Sequence, residues 1–347
     1  MTDIAPASAV RFTGNSTATS AERYAARDLR AGPPPFPHGW FAVAFSDEVR
    51  PGTVSTRRFM DREIVVYRTR SGTARAIESY CPHLGAHFGH GGTVAGEEIR
   101  CPFHGFRFDT SGRCTSTPYG SPPPAAHLGT LEMREALGVI LVWHGAPGID
   151  PWELELPEID SRWRPMRYDT VALHGHPQEI TENGVDSGHL AVLHGFEQVK
   201  ATAKLTTAGP RLRAGYSFRK PLPLSKGVAA ELSIDVQGLG FSVVEVVTSA
   251  GWTIRELILP TPAGGREVEV RIATMLRTRS TGRASRFAWT SVEAIVERTS
   301  LRSLRSELLR DREIWQHKKY LGRPALAAGD GPIGPYRAWA RQFYPDA

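Results

Sequence analysis

The 347 residues are 22% charged and 41% hydrophobic, which excludes a largely disordered chain and, at about 150 residues per domain, predicts two folded domains. The formal charge of +6 comes from 42 basic against 36 acidic residues, and only six of the basic ones are lysines; with the arginines scattered, no nucleic-acid surface is indicated. No stretch reaches the roughly 18 apolar residues of a membrane span, the N-terminus has no apolar leader, and three cysteines make no disulfide framework, so a soluble, cytoplasmic protein is expected.

Residues 1–37 are rich in Ala, Ser and Thr, end in a proline run and read as a loose arm with one helical turn near Ala21–Leu29. From Trp40 the texture changes to short apolar runs between turns, WFAVAF, EIVVYRT, ARAIES and LGVILVWHG, which predicts a small antiparallel β domain over 38–150. A surface loop is expected at 120–129 and a linker from Pro147 to Pro157. Residues 151–347 follow as a second domain, with a glycine-broken helical stretch from Gln178 to His194. Five strands then fall at Leu212–Arg219, Ala230–Val236, Phe241–Val247, Trp252–Leu259 and Glu267–Arg277, and a long helix runs from about Ser291 to Tyr320. The layout is α+β, one antiparallel sheet with segregated helices.

The first domain carries Cys81-Pro82-His83 and, seventeen residues on, Cys101-Pro102-Phe103-His104. Each half offers one thiolate and one imidazole. A structural zinc site more often pairs like ligands along the chain, whereas alternating Cys and His suits a two-iron cluster with both thiolates on one iron and both imidazoles on the other; zinc stays open as the alternative. Glycines at 85, 89, 91, 92 and 105 permit the turns that bring two loops over one cluster. His87 and His90 read as loop residues and Cys114 as a free, inert thiol. The runs CPHLGAHFGHGG and CPFHGFRFD resemble the Rieske domain of the Rieske oxygenases.

In the second domain Asp186, His189 and His194 form D-x-x-H-x4-H. On an unbroken helix the two histidines would stand about 140° apart, so they converge only where the helix breaks, as Gly188 and Gly195 permit. Two imidazoles and one carboxylate would make a facial triad on Fe(II) with positions open for dioxygen. The carboxylate can be sought by phase. Leu301, Leu304, Leu308 and Trp315 define an apolar helix stripe, and Asp311 falls on it while Glu307 and Glu313 fall off. A carboxylate there requires a metal or an ion pair with an arginine, and both partners remain open.

Together the two sites resemble the oxygenase (α) component of the Rieske non-haem iron oxygenases over nearly the whole chain. The C-terminal DREIWQHKKY and DGPIGPYRAWARQFY runs are similar to the branch containing 3-ketosteroid 9α-hydroxylases and cholesterol 7-desaturases. The resemblance implies an N-terminal Rieske domain on Cys81, His83, Cys101 and His104, and a helix-grip catalytic domain whose mononuclear Fe(II) sits on His189, His194 and Asp311. It also implies that Asp186 links His104 of one subunit to His189 of the next within a homotrimer, with Asn183 close to the iron. Hydroxylation or desaturation of an apolar substrate with O2 would follow. Electrons would come from NAD(P)H through a separate ferredoxin or ferredoxin reductase, since the chain has no G-x-G-x-x-G fingerprint. Oxidative cyclisation and N-oxidation would use the same ligands. A non-catalytic electron carrier with a lipid-binding second domain is the reading from another class.

Overall fold

Glycine and proline punctuation cuts the first domain into short strands, as a chain of brief apolar runs requires. The computed structural model describes residues 36–221, 227–279 and 283–344. The helical turn expected near Ala21–Leu29 lies outside the described residues. Strands β1 (Gly39–Phe45), β2 (Val54–Phe59), β3 (Arg62–Arg68), β4 (Ala74–Glu78), β5 (Thr93–Ala95), β6 (Glu98–Arg100), β7 (Arg107–Phe108), β8 (Cys114–Ser116), β9 (Thr130–Leu131), β10 (Met133–Ala136) and β11 (Val139–His144) form three antiparallel sheets. One of these, ordered β5-β6-β7-β8, carries the loops of the Cys-x-His and Cys-x-x-His motifs at its end. The domain spanned by these strands is joined to the second by residues 145–166, which hold no regular element.

That join is a packed strap. Trp152 stacks edge-on against Trp143 at 4.7 Å, and its carbonyl accepts a hydrogen bond from the Trp40 indole at 2.8 Å. Every residue of β1 is buried because its other side faces the second domain. A bulge between Ala42 and Ala44 frees carbonyls from the β1–β11 ladder, and the second domain satisfies them. Arg271 donates to Ala42 O and to Val43 O, both at 2.8 Å, and Thr261 donates to Ala42 O at 2.7 Å.

The second domain is a seven-stranded antiparallel sheet of β12 (Arg167–His174), β13 (Glu197–Ala208), β14 (Arg211–Lys220), β15 (Val228–Gln237), β16 (Phe241–Thr248), β17 (Thr253–Gly264) and β18 (Glu267–Arg277). Its order is β12-β18-β17-β16-β15-β14-β13. The edge strands β12 and β13 were not expected. Helices α1 (Pro177–Glu182) and α2 (Ser187–Val192) cross between β12 and β13, the long α3 (Arg283–His317) lies across the sheet, and α4 (Ile333–Ala340) closes the chain. The long helix therefore begins eight residues before the expected Ser291 and ends three before Tyr320. Its apolar stripe packs Leu304, Leu308 and Trp315 onto Val171, Val270 and Ile272. Among the described residues no helix is long and apolar enough to cross a membrane.

Candidate metal centres and active site

The two cluster loops fold alike. In the first, Gly85 N–H donates to Cys81 O at 2.9 Å and Cys81 N–H to Ala86 O at 2.8 Å; in the second, Gly105 N–H donates to Cys101 O at 3.1 Å and Cys101 N–H to Phe106 O at 2.8 Å. Both turns need a left-handed residue four positions after the cysteine, and Gly85 and Gly105 supply it at φ +73° and +69°. The result sets both thiols side by side in the interior. Burial, followed by the neighbouring Cys101, pushes the Cys81 thiol up to about 11. A pair of buried sulfurs becomes thiolate only beside a cation.

The imidazoles stand opposite, with His83 and His104 rings 4.9 Å apart and His83 stacked on Phe106 at 4.2 Å. His104 Nδ1 is buried with no hydrogen-bond partner among the described residues. Two thiols in contact and two imidazoles in contact, presented by two like-folded loops and with one imidazole nitrogen orphaned, fit a Rieske cluster. All three cysteines are free. His87, read as a plain loop residue, accepts from Gly89 N–H at Nδ1 (3.0 Å) and meets Glu63 at 3.1 Å through Nε2, pinning its loop to β3; His90 sits beside them.

In the second domain the helical stretch breaks at residues 183–186 and ends before Gly195; Gly188, expected to permit the break, lies inside α2. Asn183 caps the C-terminus of α1, and the Asp186 carboxylate caps α2 by accepting from His189 N–H at 3.1 Å. The Asp186 backbone carbonyl takes His189 Nδ1 at 2.5 Å, which fixes the tautomer and leaves Nε2 free. After α2, Gly195 turns left-handed at φ +69° and Phe196 N–H returns to Leu190 O at 3.0 Å, so His194 folds back over His189. Their rings lie 4.9 Å apart. Burial lowers the His189 imidazole from its usual value and holds it neutral, the form a metal ligand requires.

Asp311 completes the group from α3, with Oδ1 3.4 Å from His194 Nε2. The ligand atoms of His189, His194 and Asp311 all lie within 4.8 Å of one another. No arginine pairs with Asp311 among the described residues, and its Oδ1 is buried without a hydrogen bond. The ion-pair alternative is thus unsupported, and the donor set suits a metal. Glu307 is engaged elsewhere, in an ion pair with Lys220. Behind the site, Arg337 holds Glu182 bidentately at 2.6 and 2.9 Å, while Tyr336 and Tyr344 donate to the Gln178 backbone and side chain at 2.7 and 2.9 Å. The C-terminal segment therefore fixes α1, and through it Asn183.

A cavity of about 650 Å³ opens from these residues along α3 and the sheet. Its wall is mostly apolar, with Leu190, Phe218, Ile234 and Trp315 among the lining side chains, and Asn183 lines it too. Glu256 also lines it, a residue the sequence reading missed. Its signal is faint: Ile254, Glu256 and Ile258 alternate onto one face of β17, where a single carboxylate interrupts an apolar row.

A family model for the 3-ketosteroid 9α-hydroxylase C-terminal domain matches residues 142–344, and one for the Rieske [2Fe-2S] domain matches residues 39–132. The chain belongs to the Rieske oxygenases. Cholesterol 7-desaturase of Bombyx mori is 31% identical over 326 residues, covering 90% of this chain and 71% of the relative. A 3-ketosteroid-9-alpha-monooxygenase oxygenase component of Rhodococcus rhodochrous is 26% identical, covering 94% of this chain and 89% of the relative. Among solved structures, dicamba monooxygenase bound to dicamba superposes with a TM-score of 0.66 at 16% identity, covering 88% of this chain and 96% of that one. NdmA of Pseudomonas putida CBB5 with caffeine gives 0.66 at 18%, covering 88% and 90%.

This Rieske oxygenase is accordingly an O2-dependent oxidoreductase with a [2Fe-2S] cluster and a mononuclear non-haem iron, supplied with electrons by a separate reductase or ferredoxin. The electron-carrier reading is set aside by these relatives. The expected fold, an antiparallel β Rieske domain followed by a helix-grip catalytic domain, is the one observed.

Proposed function

We propose that the chain hydroxylates or desaturates an apolar, steroid-sized substrate held in the cavity beside His189, His194 and Asp311. The observation that carries this reading is the cavity itself, apolar along its length and ending at the three convergent ligand atoms. At about 650 Å³ it falls in the range of sites for drug-sized ligands. Similarity to relatives named for 3-ketosteroids and cholesterol supports the size class.

Cys81, Cys101, His83 and His104 would hold the cluster, and His189, His194 and Asp311 the iron. When bound, the two centres supply one-electron storage and dioxygen activation. The protein's part is geometric: Asp186 fixes the His189 ring, the apolar wall excludes water, and Asn183, which lines the cavity, would meet the substrate close to the iron.

We further infer a homotrimer. Leu84 and Phe103 are exposed beside the cluster ligands, an apolar rim that a neighbouring subunit would cover, with His104 then facing the neighbour's Asp186. The free, buried cysteines fit a reducing, cytoplasmic setting.

The deciding experiment is aerobic turnover of the metal-loaded enzyme with NADH, a surrogate reductase and a panel of sterols, ketosteroids and apolar secondary metabolites. A product heavier by one oxygen marks hydroxylation, and one lighter by two hydrogens marks desaturation. Absence of any product and of substrate-dependent oxygen uptake across the panel would overturn the assignment.

A further inference from the structure

Strand β17 passes under the cavity and projects Ile254, Glu256 and Ile258 into it. Glu256 is half-buried there between two isoleucines, and a carboxyl drawn out of water is unfavourable unless something bonds to it. Among the described residues Glu256 has no hydrogen-bond or ion-pair partner, and its cross-strand neighbours are Val244 and Thr274. The nearby cation is already committed. Lys220, at the end of β14, pairs with Glu307 of α3 and also donates to Ser303, which donates in turn to Glu307 at 3.0 Å. The bridge crosses the cavity wall from sheet to helix, and all three residues line the same space as Glu256.

The position is set relative to the metal end. Glu307 precedes Asp311 by four residues on one helix, about 6 Å along its axis. A molecule reaching from Glu256 and the bridge to the iron ligands would therefore carry a polar group roughly one helical turn or more from the carbon that reacts.

We propose that Glu256, backed by the Lys220–Glu307–Ser303 bridge, is a specificity-determining residue that donates a hydrogen bond to a neutral carbonyl or hydroxyl oxygen on an otherwise apolar substrate. This rests on the reading of the cavity as the substrate site and deepens it. The protonation state suits the role, since burial first and Glu307 second push the Glu256 carboxyl up to about 8, with Lys220 opposing. A neutral carboxylic acid donates one O–H. A cationic amine is the poorer match, because Lys220 faces the same space. A bound substrate lacking the oxygen would cover the acid and leave it unpaired, and sites of that kind discriminate strongly.

Binding to the anaerobic holoenzyme by calorimetry tests this with cholestanone and cholestane, which differ only in the ketone. Wild type should bind the ketone at least about tenfold tighter. Glu256→Leu should erase that preference and bind cholestane no worse than wild type, while Glu256→Gln, which keeps an N–H donor, should retain most of it. A preference unchanged in Glu256→Leu, or lost equally in both variants, would overturn the donor assignment. If wild type binds both without preference, the anchor fails and the apolar cavity stands; if it binds neither, the steroid-scale reading fails and the anchor falls with it.

Discussion

Replacing Glu256 by Gln should stabilise the protein in a pH-dependent way whose size follows from its surroundings. The acid is shifted from 4.5 to about 8 in the folded state, by burial and then by the Glu307 carboxylate of α3, while Lys220 of β14 acts the other way. A raised folded value means that the native state holds its proton more tightly than the unfolded chain does. The stability from the neutral form is complete below the unfolded value near 4.5, declines as the pH rises, and is lost by the folded value near 8. At 1.36 kcal/mol per pH unit the full loss is about 5 kcal/mol, and at pH 6 about 2 kcal/mol. Glu256 faces a cavity that admits water rather than sealed protein, so these figures are ceilings. Gln cannot ionise and suffers none of this. Guanidinium unfolding followed by tryptophan fluorescence should therefore show wild type and Glu256→Gln converging near pH 5 and separating steadily up to pH 8, the variant being the more stable. Parallel curves across that interval would show that Glu256 titrates as an exposed carboxylate, and would remove the physical basis for a neutral donor in the cavity.

Two further outcomes bear on the metal residues. Asp311→Ala should lose the mononuclear iron and substrate-dependent oxygen uptake while the Rieske absorption stays normal; retained iron with a lowered melting temperature would show instead that Asp311 serves an ion pair. Asp186→Asn should keep both metal centres, since Asn can still cap α2 and the His189 Nδ1 bond goes to the backbone, yet lower turnover by about tenfold or more through the lost carboxylate. Iron loss matching that of His189→Ala would make Asp186 a ligand.

The candidate metal residues that the structure brings together were legible because each set is local or periodic. The cysteine and histidine of each cluster loop are two or three residues apart, and the loops meet through turns that glycine alone announces. Asp311 stood out because one helix carries its own ruler, and the same ruler placed Glu307 off the stripe, where Lys220 holds it. Strands β12 and β13 escaped notice as sheet edges. In β13 the exposed Glu197, Lys200 and Lys204 replace the apolar alternation that marks a strand, as an unpaired edge favours. Helix α4 was hidden by Gly334 and Pro335 in its first turn, where proline costs no backbone bond, although Tyr336, Trp339 and Ala340 bury one face.

Glu256 was hidden for a different reason, and that reason says something about how the cavity is built. Leu257 and Leu259 on the opposite face of β17 are buried against the first domain, and the same face carries the buried Arg255, so each face mixes apolar residues with one charge and the alternation carries little contrast. A polar group in such a strand reads as an interruption rather than a pattern, and only the three-dimensional cavity shows that its face is the one open to a ligand. The same double burial makes the wall rigid, because β17 is held by the bulged β1 through Thr261 and by its two neighbouring strands. One carboxyl, the buried Asp311, thus faces two imidazoles from α3, which packs on β12 and β18 and is tied to Asp169 of β12 through Arg305, while the other, the half-buried Glu256, faces the cavity from a strand clamped by the Rieske domain. Because the two stand on separately braced elements, the distance between them is set by the fold rather than by the bound molecule. A substrate anchored at one end would present a fixed carbon at the other, which is what regioselective oxidation of a rigid apolar body requires.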